Sequence, residues 1–240
     1  MRIDKFLADN LNISREAAKE LIKCRKVSLN GKVIRLYDEK VSEGDTVTAD
    51  GREIVFTKHI YMMLNKPAGL VCENRKTDEG TVFSCIPENL RRKNLSVCGR
   101  LDKDTEGLLI ITDDGDFVHK IISPVKKIPK TYFARLKTAA ESSLVESFKS
   151  GVIIDGGEKC KPAKLQITDN PFEVYITIFE GKYHQVKRMM AALGNEVLYL
   201  RRISCGDLTL PEKLPVGGVV TLTPTDCAKC SKSSTLFYEN

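Results

Sequence analysis

The sequence predicts an α+β protein of two domains, a small N-terminal module followed by a larger one. Three observations predict it. Strand-like runs are mixed with only a few helical patterns, which argues against the regular alternation of a doubly wound sheet. The 240 residues, 42% of them hydrophobic, are enough for a small module and a medium domain, each with a packed core. The charge changes sign early: residues 1–35 hold nine Lys or Arg against four Asp or Glu, and residues 36–58 hold three against six. The boundaries read as 1–58 for the module, 59–226 for the second domain and 227–240 for a polar, disordered tail.

The elements follow in order. Ile3, Phe6, Leu7 and Leu11 recur at helical spacing. Ser14 caps a second helix with Glu16 near its positive end and Ala17, Ala18, Leu21 and Ile22 as its inward face. Arg15, Lys19 and Lys23, four residues apart, line an outer face that Arg25 and Lys26 extend. Asn30-Gly31 between Val27–Leu29 and Lys32–Ile34 is a hairpin signal, and Gly44-Asp45 turns into Thr46–Thr48.

After a linker at 51–60, Tyr61–Asn65 reads as a buried strand stopped by Lys66-Pro67. Runs at 96–98, 108–111, 130–136, 164–169, 172–179, 197–204 and 218–223 read as strands. A short helix follows Gly115, a second opens on a Thr138/Glu141 capping box and ends at Gly151, and a third runs from Tyr183 to Leu193 before Gly194.

Composition excludes some function classes. No apolar run approaches the roughly 18 residues of a membrane span, and the start, Met1-Arg2-Ile3-Asp4-Lys5, lacks a signal peptide's apolar stretch. A cytoplasmic protein is expected. The eight cysteines show no disulfide framework and read as reduced thiols; Cys227 and Cys230 form a lone CxxC without the second pair that zinc wants. No metal is expected, and no cofactor-binding glycine loop is visible.

The informative stretch is Gly99-Arg100-Leu101-Asp102-Lys103-Asp104-Thr105-Glu106-Gly107, a polar loop between two apolar strands. On spacing alone Asp102 is a turn cap, a metal ligand with Asp104, or a nucleophile. Asp113-Asp114-Gly115 reads as a turn and helix start.

Residues 1–32, from Arg2-Ile3-Asp4-Lys5-Phe6-Leu7 through Ser14-Arg15 to Ser28-Leu29-Asn30-Gly31-Lys32, resemble the S4 RNA-binding module. Gly99–Gly107 resembles the catalytic motif of pseudouridine synthases. Tyr61–Gly69, Lys130-Thr131-Tyr132, Gly181–Met189 and Tyr199-Leu200-Arg201-Arg202 resemble that family's further motifs, in its order. With the S4-like module in front, the chain is most similar to the RsuA group, the ribosomal small-subunit pseudouridine synthases.

The resemblance implies a catalytic domain with a mixed, mainly antiparallel sheet flanked by helices. It implies Asp102 as the catalytic residue, Lys187 as the cation that keeps it ionised, Tyr132 as the aromatic face for uracil, and Leu200 as the opposite apolar wall. Arg100 would support phosphates or fill the gap left by the extracted nucleotide. Arg2, Lys5, Arg15, Lys19, Lys23, Arg25 and Lys26 would grip RNA. His184 and Gln185 are expected to hold local backbone. The implied partner is structured ribosomal RNA or an assembling ribosomal subunit, met by a monomer without a cofactor. The alternatives are a large-subunit RNA target, a non-catalytic assembly factor, and a metal-dependent phosphohydrolase using Asp102, Asp104 and Asp114.

Overall fold

The computed structural model describes residues 1–42, 44–54, 58–73, 79–123 and 125–232. The expected linker thus falls partly on 55–57, and the expected tail partly on 233–240, outside the described residues. The chain forms two compact units, Met1–Ile60 with Pro87–Leu95, and Tyr61–Ile86 with Ser96–Asn240. Among the described residues no helix is long and apolar enough to cross a membrane.

The first unit holds α1 (Ile3–Asn10), α2 (Arg15–Lys23), β1 (Val27–Leu29), β2 (Lys32–Val33), β3 (Val47–Ala49) and β4 (Arg52–Ile54). The strands pair in the order β2-β1-β3-β4, all antiparallel. Ile3, Phe6 and Leu7 of α1 pack with Ala18 and Ile22 of α2 and Val27 and Val47 of the sheet. Leu11, expected on that face, ends α1 as its half-exposed cap, and Ala17 is exposed rather than inward.

The Ser14 hydroxyl accepts from the Ala17 amide at 3.0 Å, as the cap signal predicts. Asn30 and Gly31 both take positive φ, +49° and +78°, which is what a two-residue hairpin turn of matching twist demands. The return of Pro87–Leu95 to this unit has no signal in the sequence; it is held by Arg92 donating to Asn10 Oδ1 at 3.0 Å and Lys93 to the Ile13 carbonyl at 3.2 Å.

The second unit contains β5 (Tyr61–Lys66), β6 (Ser96–Val97), β7 (Glu106–Thr112), α3 (Gly115–Ile122), β8 (Lys130–Leu136), α4 (Ser142–Ser150), β9 (Ile153–Ile154), β10 (Glu158–Lys159) and β11 (Lys164–Ile167). It continues with β12 (Glu173–Ile178), α5 (Gln185–Ala192), β13 (Val197–Cys205), β14 (Leu208–Thr209), β15 (Val219–Thr221) and α6 (Pro224–Cys230). The main sheet runs β11-β12-β8-β13-β7-β5-β15. Its pairings are antiparallel except that of β13 with β7, which is parallel. β7 is buried along nearly its whole length, as its unbroken Leu108–Ile111 run requires of a central strand.

Two elements differ from the sequence reading and one bears it out. α4 begins after Glu141, not at Thr138, whose carbonyl and amide are bonded instead by the Asn195 side chain. Asp114 caps α3 through the Phe117 amide, as the turn-and-helix-start reading expects, and also accepts from the Tyr61 hydroxyl at 2.6 Å. A helix occupies 224–230, where the tail was expected to begin at 227. A Thr223/Asp226 capping box starts it, and it buries Cys230 with its Sγ 3.6 Å from that of Cys205.

Candidate active site

The loop Gly99–Thr105 joins β6 to β7 and is pinned from below by one lysine. Lys66, at the buried end of β5, is fully enclosed and donates to the carbonyls of Pro67 at 2.9 Å, Lys103 at 3.1 Å and Thr105 at 2.9 Å. All three ammonium hydrogens therefore have acceptors. Burial lowers the Lys66 pKa, against the fields of Cys72, Asp104 and Asp102, which favour the charge. Gly69 adds an amide bond to the Lys103 carbonyl at 2.7 Å, and Leu101 is buried with its amide on Cys72 Sγ at 3.5 Å. The loop is thus clamped on both sides of Asp102.

At its far end Gly107 takes φ +102° directly against the β13 backbone, where a Cβ would collide with the Arg202 carbonyl. The glycine allows the parallel β7–β13 approach.

Asp102 keeps 24% of its side chain exposed. Its Oδ2 lies 3.7 Å from Lys187 Nζ on α5, and its Oδ1 3.5 Å from His184 Nε2. The Lys187 ammonium binds Asp104 more closely, at 2.6 and 2.7 Å to its two oxygens, and this contact holds the Asp104 carboxyl below its ordinary value. Asp104 therefore fixes the ammonium beside Asp102 rather than competing as a second reactive acid.

His184 sits at φ +48° immediately before α5, with its ring stacked on Tyr183 at 3.8 Å. Its Nε2 lies against Asp102, a contact that the backbone-holding expectation did not include. Gln185 does hold backbone: its Oε1 accepts from the Lys182 amide and its Nε2 donates to Glu180, both at 3.0 Å.

A cavity of about 310 Å³ opens beside Asp102, at the lower end of the size of small-molecule sites. Asp102, Arg100, Tyr132, Leu200 and His184 line it, with Arg202 and Lys130. Tyr132 is only 7% exposed, and burial pushes its phenol above its ordinary value while the neighbouring Arg202 pulls it down. Leu200 is buried on β13, two residues from Arg202 and so on the same face. Arg100 is exposed at the rim. Lys187 stands outside the cavity, facing a neighbouring groove with Asp104.

Sequence reasoning missed Arg202, Lys66 and the Asp104–Lys187 pair. The period-two spacing of Leu200 and Arg202 was the available signal for the first; Lys66, at the polar end of the Tyr61–Asn65 run, gave none.

In the first unit Arg15, Lys19 and Lys23 are exposed on α2, as are Lys5 and Arg25. Lys26 pairs with Asp50 at 3.2 Å. Arg2 makes two 3.1 Å bonds to the buried Asp4, which leaves its guanidinium half occupied. Lys19 Nζ lies 5.3 Å from the centre of the exposed Tyr37 ring.

Residues 60–192 match the family model of RNA pseudouridylate synthase, and residues 1–47 that of the S4 domain. A protein of Vibrio parahaemolyticus named ribosomal small subunit pseudouridine synthase A is 43% identical, over 93% of this chain and 96% of its own length. Its namesake in Escherichia coli (strain K12) is 39% identical over 95% and 99%. An uncharacterized RNA pseudouridine synthase of Bacillus subtilis (strain 168) is 40% identical over 93% and 95%. A crystal structure of a pseudouridylate synthase superposes with a TM-score of 0.67 at 36% identity, covering 96% of this chain and 99% of the other.

Proposed function

As the chain belongs to the RNA pseudouridylate synthase family, we propose that it isomerises a uridine of small-subunit ribosomal RNA to pseudouridine, with Asp102 as the catalytic residue. The observation that carries the role of Asp102 is its convergence with Tyr132 and Leu200 on one cavity, with the Lys187 ammonium 3.7 Å away. These residues come from a loop, two strands and a helix far apart in sequence.

The reaction breaks the bond between C1′ and N1 and forms one between C1′ and C5; the proton on C5 is lost and N1 gains one. Nothing is oxidised or hydrolysed. An ionised carboxylate stabilises or traps the sugar cation at C1′, as in retaining glycoside hydrolysis. The Lys187 ammonium, 3.7 Å from Asp102 Oδ2, sets a positive charge beside that carboxylate. The everted uracil would lie between the Tyr132 ring and Leu200, at an unstacking cost of a few kcal/mol that RNA contacts offset. The S4-like unit would supply those contacts, with Arg15, Lys19, Lys23, Lys5, Arg25 and Lys26 meeting phosphates and Arg2 contributing what Asp4 leaves free. Arg100 at the rim is placed to meet the target's flanking phosphates.

Two measurements test this. Asp102→Asn abolishes pseudouridine formation while leaving RNA affinity within a few-fold; a variant that still makes pseudouridine refutes the assignment. Mapping pseudouridines in ribosomal RNA from cells with and without the protein identifies the target. A missing position in the large-subunit RNA would move the substrate there, the second reading, since the motifs are shared by both groups. The small-subunit choice follows the relatives' names.

A further inference from the structure

Separating uracil from C1′ creates two charges. The electron pair of the bond leaves with N1, so the sugar becomes positive and the detached base negative. Asp102 answers only the first. Across the cavity stand two buried cations, Arg202 (2% exposed) and Lys130, both in its lining. Burying a cation is costly unless it is paired. Among the described residues neither has a carboxylate within ion-pair distance.

Arg202 Nε donates to the Leu108 carbonyl at 2.7 Å, and Lys130 Nζ to that of Ile128 at 3.3 Å. These bonds satisfy hydrogens without cancelling charge. Arg202 is the cross-strand partner of Tyr132, and both side chains line the cavity. The parallel β7–β13 approach at Gly107 fixes the Arg202 backbone, and the Leu108 carbonyl on β7 holds its Nε in place.

We propose that Arg202 is a positioning residue that acts through the Tyr132 phenol to stabilise the negative charge developing on uracil as it leaves C1′. The cavity then holds the two halves of a separating ion pair, the sugar at Asp102 and the base at Tyr132 and Arg202. Tyr132 donates a hydrogen bond to a uracil carbonyl, and the guanidinium behind it strengthens that bond without itself losing a proton. The inference rests on the pseudouridine reading of the site.

The groups facing Tyr132 are Arg202 and Cys205 from β13 and Asp102 from the loop, with Lys130 on its own strand. The Cys205 thiol is lowered by its Cys230 partner, against its burial, and further by Arg202 and Lys130. It is the other group able to hold negative charge beside these cations, so the test must include it.

The experiment compares single-turnover breaking of the C1′–N1 bond in small-subunit ribosomal RNA transcribed with uridine or with 5-fluorouridine, whose electron-poor base leaves more readily. The fluorinated base has no C5 proton to lose, so loss of the N-glycosidic bond, not pseudouridine, is the readout for both. Arg202→Gln, checked for an intact fold by circular dichroism, is expected to slow uridine conversion about 100-fold, the usual loss of one oxyanion-type donor. It should slow the fluorinated substrate less than about 10-fold, and Arg202→Lys should recover most of the uridine rate. Cys205→Ala should keep the wild-type ratio between the two substrates. An equal loss on both substrates, or the same pattern from Cys205→Ala, overturns the proposal.

A second readout needs no RNA. Ultraviolet titration of the Tyr132 phenol, taken as the difference from Tyr132→Phe, should move upward in Arg202→Gln because a neighbouring cation is lost. An unmoved titration refutes the Arg202–Tyr132 coupling even if the RNA target proves to be another, whereas wild-type protein that converts no uridine sinks the reading of the activity.

Discussion

The positive charges of the two units are built in opposite ways. On α2 of the first unit Arg15, Lys19 and Lys23 are exposed, and the Lys23–Glu20 contact is a loose 3.8 Å. In the second unit Lys66, Lys130 and Arg202 are buried, each bonded to backbone carbonyls. Solvated cations on flexible stems meet phosphates by long-range attraction, which salt screens. Enclosed cations have already lost their water and stay where they are set, so they can act on charge that appears during a reaction. On the reading proposed above, the same residue types would serve attraction in one unit and positioning in the other.

The largest effect that sharpens this contrast belongs to Lys66. Lys66→Met leaves the carbonyls of Pro67, Lys103 and Thr105 without their donor inside the fold. Roughly 3 kcal/mol of stability should be lost, read from the denaturant midpoint, with the Asp102 loop loosened and turnover reduced. A cost near zero would show that the ammonium is not holding the loop.

A smaller effect is expected on α2. Lys19→Ala and Lys23→Ala should each flatten the dependence of log affinity on log salt by about one unit, with little change in melting temperature. An unchanged slope would remove that helix from the RNA interface.

The smallest effect concerns Asp104, which lies between the two extremes, exposed yet bonded to Lys187. The bond lowers its folded pKa below the ordinary 3.8. Its contribution is in place above 3.8 and is lost as pH falls through the depressed folded value. Asp104→Asn should therefore lower stability slightly above pH 3.8, the effect being small because solvent screens an exposed pair, and leave it unchanged in strong acid, where Asp104 is protonated folded or unfolded. Stability curves against pH for the two proteins that superpose below pH 3.8 and above it alike would contradict the pairing.

Local elements were legible because their causes are local. Ser14 caps whichever helix follows it, Asn30-Gly31 accepts the positive φ that a tight hairpin needs, and the alternation of Lys130–Leu136 matches a strand with one buried face. Thr138 misled because its backbone groups are taken by Asn195, a partner 57 residues away. The CxxC near the C-terminus read as polar tail because nothing nearby in sequence announces Cys205 as its packing partner.

The sequence by itself pointed to a two-part α+β architecture and most of the elements, since periodicity and caps lie along the chain, while Asp102, Tyr132, Leu200 and Lys187 were residues to watch through the resemblance that their motifs carry. Only the tertiary structure decided which cation stands where: that Lys187 reaches Asp102 while bound to Asp104, that His184 turns onto the same carboxylate, and that Arg202 lies buried against Tyr132. Electrostatic effect depends on distance and on exclusion of water, and both are set by which strands and helices the fold brings side by side.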